Sequence, residues 1–275
     1  MKKPIFVIII GLLLLASCRE KDLDMTLVQK TLYENASITG ITANDAWHLT
    51  IIHDEQAFVE LEYSAFLEDY ILAQKEGSEL TIGFNTQLYL PANTVMNATV
   101  HLPALQKLHC SEAVSAQIQG DFSGDELTVE LNDASTLKGG AFTGNAAVML
   151  TGASTMVDFG FTGDLCSINL FGASVFKGVL NVNQTLGFTA ADASRLTLYG
   201  GAAPNALAEI KDASIVNTLE TEIQQLQLLM TSASEASVFV TQEIHGTLRD
   251  ASLLYYQGNP TLDLNTDETS SIHPL

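Results

Sequence analysis

Positive charge is scarce in this chain of 275 residues, which has 12 Lys and Arg against 32 Asp and Glu and a net charge of −20. A surface this acidic repels nucleic acid and anionic lipid headgroups, which excludes both as partners of the folded domain. Aromatic residues make up only 7% of the chain. Phe dominates them, and it stands mostly at positions that are typical of a core.

No apolar run is long enough to span a membrane, which takes about 20 residues. The run over residues 5–15 is shorter, follows Lys2 and Lys3, and ends in Leu15-Ala16-Ser17-Cys18. This pattern is typical of a cleaved signal peptide, and its last four residues resemble the lipobox of bacterial lipoproteins. We therefore predict a signal peptide over residues 1–17 and lipidation of Cys18. The expected location is the outer membrane, facing the periplasm or the cell surface.

Cysteine is rare as well. After Cys18 only Cys110 and Cys166 remain, and a compartment outside the cytoplasm would permit a disulfide between them. The repeat described below places them on well-separated coils, so we expect two buried free thiols.

The chain also lacks the common signatures of catalysis. No Gly-x-Ser-x-Gly elbow occurs, and the six His residues show neither His-x-x-x-His nor His-Glu-x-x-His spacing. A polysaccharide lyase would need clustered cations, but the basic residues of the repeats are isolated. These are Lys138, Lys177, Arg195, Lys211 and Arg249. We therefore predict no enzyme, no metal and no cofactor, although two stacked Asp residues could supply a glycosidase pair.

What the sequence does contain is a repeat with a period of about 20 residues. Ala recurs at positions 113, 134, 153, 173, 193, 213, 233 and 251. In most copies it stands between Asp or Gly and Ser, and apolar residues alternate upstream, as in Leu127, Val129 and Leu131. A second corner recurs as Phe142-Thr143-Gly144-Asn145 and Phe161-Thr162-Gly163-Asp164.

Alternation places the apolar side chains on one face of each strand, and the fixed period stacks the strands of successive coils. The pattern predicts an all-β fold, a parallel β-helix over residues 111–275. Residues 33–110 are strand-like without an obvious repeat, which predicts an N-terminal β region that caps the solenoid. The polar stretch over residues 18–32 is predicted to be a tether.

These patterns resemble the head GIN domain family of auto-transporter adhesins, a domain of unknown function common in Bacteroidetes lipoproteins. The resemblance covers roughly residues 33–272. It is carried by Ile38-Thr39-Gly40-Ile41, Gly77-Ser78-Glu79-Leu80-Thr81-Ile82, residues 100–108, the Gly-Ala-Ser steps and residues 255–260. The chain departs from the family in favouring Asp before Ala-Ser and in carrying Val114 in place of Ser. The resemblance implies a β-solenoid head exported on a lipid anchor.

The column of turn residues is the sharpest candidate for a site. Stacked carboxylates about 5 Å apart repel one another, so a calcium-binding edge is one interpretation. The other is a structural ladder in which each Asp or Ser accepts a turn N–H, and Gly at two positions favours it. We predict the structural ladder. Its residues are Asp133, Ser135, Gly152, Ser154, Gly172, Ser174, Asp192, Ser194, Asp212, Ser214, Ser234, Asp250 and Ser252.

Three functional hypotheses follow. The first is a non-catalytic, adhesin-like head that binds a surface glycan or protein. The second is a structural lipoprotein of the envelope that assembles with copies of itself or with a partner, and the third is a carbohydrate-active enzyme. An exposed aromatic patch would favour the first, a flat apolar flank the second, and a groove with two close carboxylates the third. We predict the first, with the lipid anchor as the sole membrane contact.

Overall fold

The computed structural model describes residues 23–275, which form one continuous sheet of 20 strands. The predicted signal peptide and Cys18 lie outside the described residues. Within residues 23–275 there is no helix of the length and hydropathy needed to cross a membrane. The N-terminal elements are β1 (Leu27–Leu32), β2 (Gly40–Ala43), β3 (His48–His53), β4 (Phe58–Ser64), a 3-10 helix (Ala65–Leu67), β5 (Ile71–Glu76), β6 (Glu79–Phe84) and β7 (Met96–Leu102).

The remaining strands run to the C-terminus, and those in the middle of this set are the longest because each continues around a corner of the molecule. They are β8 (Lys107–Cys110), β9 (Ser115–Gln119), β10 (Asp121–Leu131), β11 (Thr136–Lys138), β12 (Ala141–Leu150), β13 (Thr155–Leu170), β14 (Val175–Ala190), β15 (Arg195–Ile210), β16 (Ile215–Met230), β17 (Glu235–Leu248), β18 (Leu253–Gln257), β19 (Thr261–Thr266) and β20 (Ser271–Pro274).

From β8 onward the chain winds as a solenoid whose coils pair in parallel and have three flanks. The first flank consists of the segments before each Ala-Ser turn, such as residues 146–150. The second flank consists of the segments after it, such as residues 155–157. The third flank follows the next corner, as in residues 160–162. The prediction of an all-β parallel solenoid is confirmed.

The solenoid begins before residue 111. β2 pairs in parallel with β8, and β3 pairs in parallel with β9, so the sheet has no break at the predicted boundary between residues 33–110 and 111–275. The turn between β2 and β3 is Asn44-Asp45-Ala46-Trp47, with the same backbone as the later turns. This step falls outside the period of about 20 residues because a long insertion separates it from the next one at Glu112.

An antiparallel cap covers the N-terminal end of the solenoid. β6 and β7 continue the parallel stack below β2 and β3, and β5 and β4 then pair with them in the antiparallel sense. β1 lies along the outer edge of β4. The predicted tether is therefore wrong for Leu27–Leu32, because Val28 and Leu32 pack against the core and the backbone joins the sheet.

Inward side chains at equivalent positions stack along the solenoid axis. Phe122, Phe142 and Phe161 are aligned in adjacent coils, and all three are buried. Burying a side chain of this size contributes about 1.5–3 kcal/mol to stability. Cys110 and Cys166 are also buried and, as predicted, they are free thiols. Burial raises the pKa of both to about 12, so they behave as small apolar side chains.

Glycine at the second corner allows adjacent coils to approach closely. A Cβ added to Gly163 would lie 1.8 Å from the carbonyl oxygen of Gly144. A Cβ on Gly144 would lie 1.9 Å from the carbonyl oxygen of Gly124. The corner therefore stacks backbone directly on backbone and leaves no room for a side chain.

We expect Gly163→Ala to lower the free energy of unfolding by about 1–3 kcal/mol or more, because the methyl group would overlap the Gly144 carbonyl. Gly187→Ala is the matched control, since its Cβ would meet nothing closer than the Cys166 carbonyl oxygen at 3.9 Å. Urea denaturation followed by circular dichroism measures both variants. Equal stability of the two would contradict this account of the corner.

Candidate functional site

The predicted turn residues all lie at one corner, between the first and second flanks. Each turn there has two consecutive residues in the left-handed region, with φ between 52° and 64°. Two central residues with positive φ define a type I′ turn, which Asp and Gly tolerate better than most residues. The pairs are Asp45/Ala46, Glu112/Ala113, Asp133/Ala134, Gly152/Ala153, Gly172/Ala173, Asp192/Ala193, Asp212/Ala213, Ser232/Ala233 and Asp250/Ala251.

Backbone groups, rather than Asp side chains, hold these turns. The Ser154 N–H donates to the Thr151 carbonyl at 3.2 Å and closes its own turn. The Ala153 N–H donates to the Gly172 carbonyl of the next coil at 2.7 Å, and the same bond recurs from coil to coil. The expectation that each Asp accepts a turn N–H is therefore wrong for the repeated steps. The Ala amide of each of these turns except the last donates to a carbonyl of the next coil, and no Asp side chain of the repeated steps accepts a turn amide.

The Ser that ends each turn points inward and is almost fully buried. Ser234 and Ser252 Oγ lie 3.3 Å apart, and Ser214 Oγ accepts the Ser194 N–H at 3.1 Å. The hydroxyl groups of Ser135, Ser154 and Ser194 are buried without a partner among the described residues. A column buried in this way cannot reach a substrate, so its role is structural. Its members are Ser135, Ser154, Ser174, Ser194, Ser214, Ser234 and Ser252.

Sequence reasoning missed that this column begins at the Asp45-Ala46-Trp47 step. Val114 takes the Ser position in one coil and Trp47 takes it in the coil before, and both side chains are fully buried. The position therefore requires a buried side chain that fits the corner, and a hydroxyl is not essential. The Asp45-Ala46 dipeptide, followed by alternating Leu49 and Ile51, was the available signal.

From Glu112 onward the carboxylates of the turn column are exposed and form an acidic ridge, whereas Asp45 is half-buried and accepts the Phe84 N–H at 2.7 Å. The neighbouring carboxylate of Asp45 raises the pKa of Glu112, with a smaller contribution from Asp133. Within residues 23–275 no group of three or more His, Cys, Asp or Glu is arranged to hold a metal ion. The geometry therefore offers no support for the calcium interpretation.

The last turn of the column is built differently. Asp267 Oδ1 accepts the N–H groups of Thr269 and Ser270 at 3.1 and 2.9 Å, and its Oδ2 accepts the Asp250 N–H at 2.7 Å. The Ala251 N–H donates to Thr269 Oγ1 at 2.9 Å. Side chains here replace the turn carbonyls that the next coil supplies elsewhere. The Asp250 amide is the main reason that the pKa of Asp267 is far below its usual range.

A shallow groove of about 590 Å³ crosses the first flank between β13 and β17. We call it the flank groove. Its floor is open at Gly187, which has no side chain, and it is flanked by Leu207 and Leu229, which are 49% and 43% exposed. Hydrogen-bonding side chains surround these leucines. They are Ser167, Asn169, Thr189, Glu209, Gln227, His245 and Thr247.

The His and Glu side chains of the flank groove already have partners. His245 Nδ1 lies 2.8 Å from Asp263 Oδ2, and Glu209 Oε1 lies 2.8 Å from Lys211 Nζ. The groove therefore offers mainly uncharged polar groups and two apolar side chains. None of these residues stood out in the sequence, because outward positions of a solenoid strand follow no pattern.

The family described as "Putative auto-transporter adhesin, head GIN domain" matches residues 37–260. The chain belongs to the head GIN domain family. The match covers the capped first coils as well as the repeats, which agrees with the continuous sheet. No curated protein matches the chain.

Solved structures share the fold of this head GIN domain. A putative adhesin from Parabacteroides distasonis has a TM-score of 0.68 and 16% identity, covering 92% of this chain and 98% of that chain. A putative adhesin from Parabacteroides merdae has a TM-score of 0.64 and 14% identity, covering 90% and 96%. A putative lipid binding protein from Parabacteroides distasonis has a TM-score of 0.65 and 14% identity, covering 92% and 98%. These identities establish a common fold alone.

We expect Asp212→Val to lower the free energy of unfolding of this head GIN domain by about 1–2 kcal/mol, because a β-branched residue is strained in the left-handed region. Asp212→Gly keeps that backbone and should not lose stability. Calcium should leave the melting temperature of all three proteins unchanged. A calcium-dependent rise in the unmutated protein that both variants abolish would contradict the structural interpretation of the ridge.

We expect Asp267→Ala to lower the melting temperature at pH 7, because three backbone amides lose their acceptor. A carboxyl group whose pKa falls on folding stabilises the protein above its unfolded pKa of about 4 and loses this effect as the pH falls further. The difference in melting temperature between Asp267→Ala and the unmutated protein should therefore become smaller in acid. Glu268→Ala, at an exposed neighbouring carboxylate, is the control. A loss of melting temperature that stays constant with pH would argue against this role of the Asp267 carboxylate.

Proposed function

We propose that this head GIN domain is the non-catalytic, adhesin-like head of an outer-membrane lipoprotein facing the periplasm or the cell surface. In this proposal Cys18 carries the lipid, and the solenoid binds a surface glycan or protein. The flank groove is the observation that carries the proposal. It combines exposed leucines with uncharged polar groups on a rigid sheet, and such a mixture is typical of a recognition surface.

Rigidity supports this role. The flank groove spans strands whose backbones pair from coil to coil, so its side chains are presented without a loop that must be ordered on binding. A preorganised surface loses less conformational entropy when a partner docks. Leu207 and Leu229 would supply the desolvated centre, and Asn169, Thr189 and Gln227 would supply hydrogen bonds around it.

A carbohydrate-active enzyme has less support. The neighbouring carboxylates Asp45 and Glu112 lie in the column of turns, away from the flank groove, and Asp45 already accepts the Phe84 N–H. Glu209 and His245, which do line the groove, are held by Lys211 and Asp263. An acid and a base for catalysis would need a shared cavity and a free reacting face.

Assembly with a second copy is the alternative that the exposed leucines favour. Both it and the adhesin proposal predict binding through the flank groove, but they differ in the partner. Light scattering coupled to gel filtration separates them. A dimer that the leucine substitutions dissociate would favour assembly, and a monomer would favour a foreign partner.

The test uses cells that display the full chain, screened against a panel of glycans and envelope proteins. We expect the double variant Leu207→Ser with Leu229→Ser to lose affinity for its partner by at least about tenfold, because central apolar residues dominate docking. Leu165→Ser is the matched control, since Leu165 is 47% exposed on the same flank but lies outside the groove. Equal binding by both variants would refute the proposed surface.

A further inference from the structure

A second concave surface lies at the corner between the second and third flanks. We call it the corner trench. Its floor follows one column of aligned residues, Asp121, Ala141, Gly160 and Val179, across four coils. The column is roughly 14 Å long, or three steps of about 4.8 Å. Asp158 and Tyr199 also line the trench, which has a volume of about 520 Å³.

The wall of the corner trench is formed by an unusual piece of backbone. The pairing of β13 with β14 shifts register between Met156 and Phe159, which pushes Asp158 out of the ladder with φ at 58°. A non-glycine residue in this region is uncommon, and it carries a conformational cost that often accompanies a functional position. The shift turns the Asp158 carboxylate toward the trench.

Three polar side chains meet at this wall. The Tyr199 hydroxyl donates to Asp158 Oδ1 at 3.3 Å and reaches across the intervening coil of β14 to do so. Lys138 Nζ lies 3.9 Å from Asp158 Oδ2. Tyr199 is 37% exposed, so part of its ring remains free while the hydroxyl group is anchored. The cluster thus presents an aromatic surface, an acceptor and a donor in one place.

The electrostatics of the cluster suit an uncharged ligand. Burial, together with the Asp158 carboxylate, raises the pKa of Tyr199, so its hydroxyl stays protonated and remains a donor at neutral pH. Asp121 and Asp158 line the trench, whereas Lys138 lies beside Asp158 and is not part of the lining, so negative charge predominates there and disfavours anions. Carboxylate and ammonium groups remain available to accept from and donate to neutral hydroxyl groups.

We propose that the corner trench is a binding subsite for a neutral oligosaccharide. A sugar ring would lie against the exposed part of the Tyr199 ring, and its hydroxyl groups would bond to Asp158 and Lys138. The next sugars would extend along the floor, where Gly160 and Ala141 allow a flat ring to approach the backbone. A concave site with one aromatic surface and a few convergent polar groups is the usual form of a small-ligand site.

The trench favours a saccharide over an extended peptide. A peptide strand would seek unpaired backbone groups, but the central floor residues Ala141 and Gly160 are already paired to both neighbouring coils. A saccharide needs only side-chain donors, acceptors and a ring to stack on. This site is also separate from the flank groove, so the two proposals can fail independently.

The test measures binding of linear neutral tri- and tetrasaccharides of glucose, galactose, mannose and N-acetylglucosamine to the full chain, by saturation-transfer NMR and calorimetry at up to about 10 mM. We expect at least one to bind, and Tyr199→Ala to weaken it by about tenfold through loss of the stacked ring. Asp158→Asn and Lys138→Ala should each weaken it severalfold. Tyr89→Ala removes a tyrosine that is 97% exposed elsewhere and serves as the matched control.

Tyr199→Phe guards against a folding defect, because it keeps the ring and removes only the hydroxyl group that anchors it. It should bind more strongly than Tyr199→Ala and melt close to the unmutated protein. The proposal is overturned if none of these saccharides binds, or if Tyr199→Ala binds as well as Tyr89→Ala. The proposal is also overturned if a peptide binds in the corner trench and no saccharide competes with it. A variant that abolishes binding at the flank groove should not change saccharide binding at the corner trench.

Discussion

The whole molecule depends on one repeated hydrogen bond, from the Ala N–H of each left-handed turn to the carbonyl of the turn above it. The bond fixes the spacing of the coils at the corner where the chain passes from the first flank to the second within two residues. The composition of the turn fits this backbone, since both residues have positive φ and the second is Ala in each of these turns. The buried Ser or its apolar replacement then fills the space inside the corner.

A backbone held this way leaves the outward side chains free to vary. The inward positions must match the residues above and below, as the aligned Phe142 and Phe161 do. The outward positions bear no such constraint, so Gly187 can open a floor and Leu207 can remain exposed beside it. Recognition surfaces on a solenoid can therefore arise by substitution of outward side chains while the backbone stays the same. The flank groove and the corner trench lie on different flanks.

The ends of the stack need separate solutions, because an end strand has no next coil to pair with. At the N-terminal end, β1, β4 and β5 turn antiparallel and cover the first coil. At the last turn the Thr269 hydroxyl accepts the Ala251 N–H in place of a turn carbonyl, and Asp267 accepts the Asp250 N–H. Neither solution follows the repeat, so the period could not predict either one. The apolar pattern of Leu27–Leu32 was too short and too polar to show that this segment joins the sheet.

The sequence by itself determined the parallel solenoid, its period, the corner at Asp133 to Ser135 and its equivalents, and the free state of Cys110 and Cys166. The alternation of buried and exposed residues and the type of turn both depend on local sequence, and that local sequence recurs in successive coils. Only the tertiary structure decided that Asp45-Ala46 belongs to the same column, because the insertion breaks the period. It alone brought Lys138, Asp158 and Tyr199 together, since residues one coil apart in space are about 20 apart in sequence and no local pattern links them.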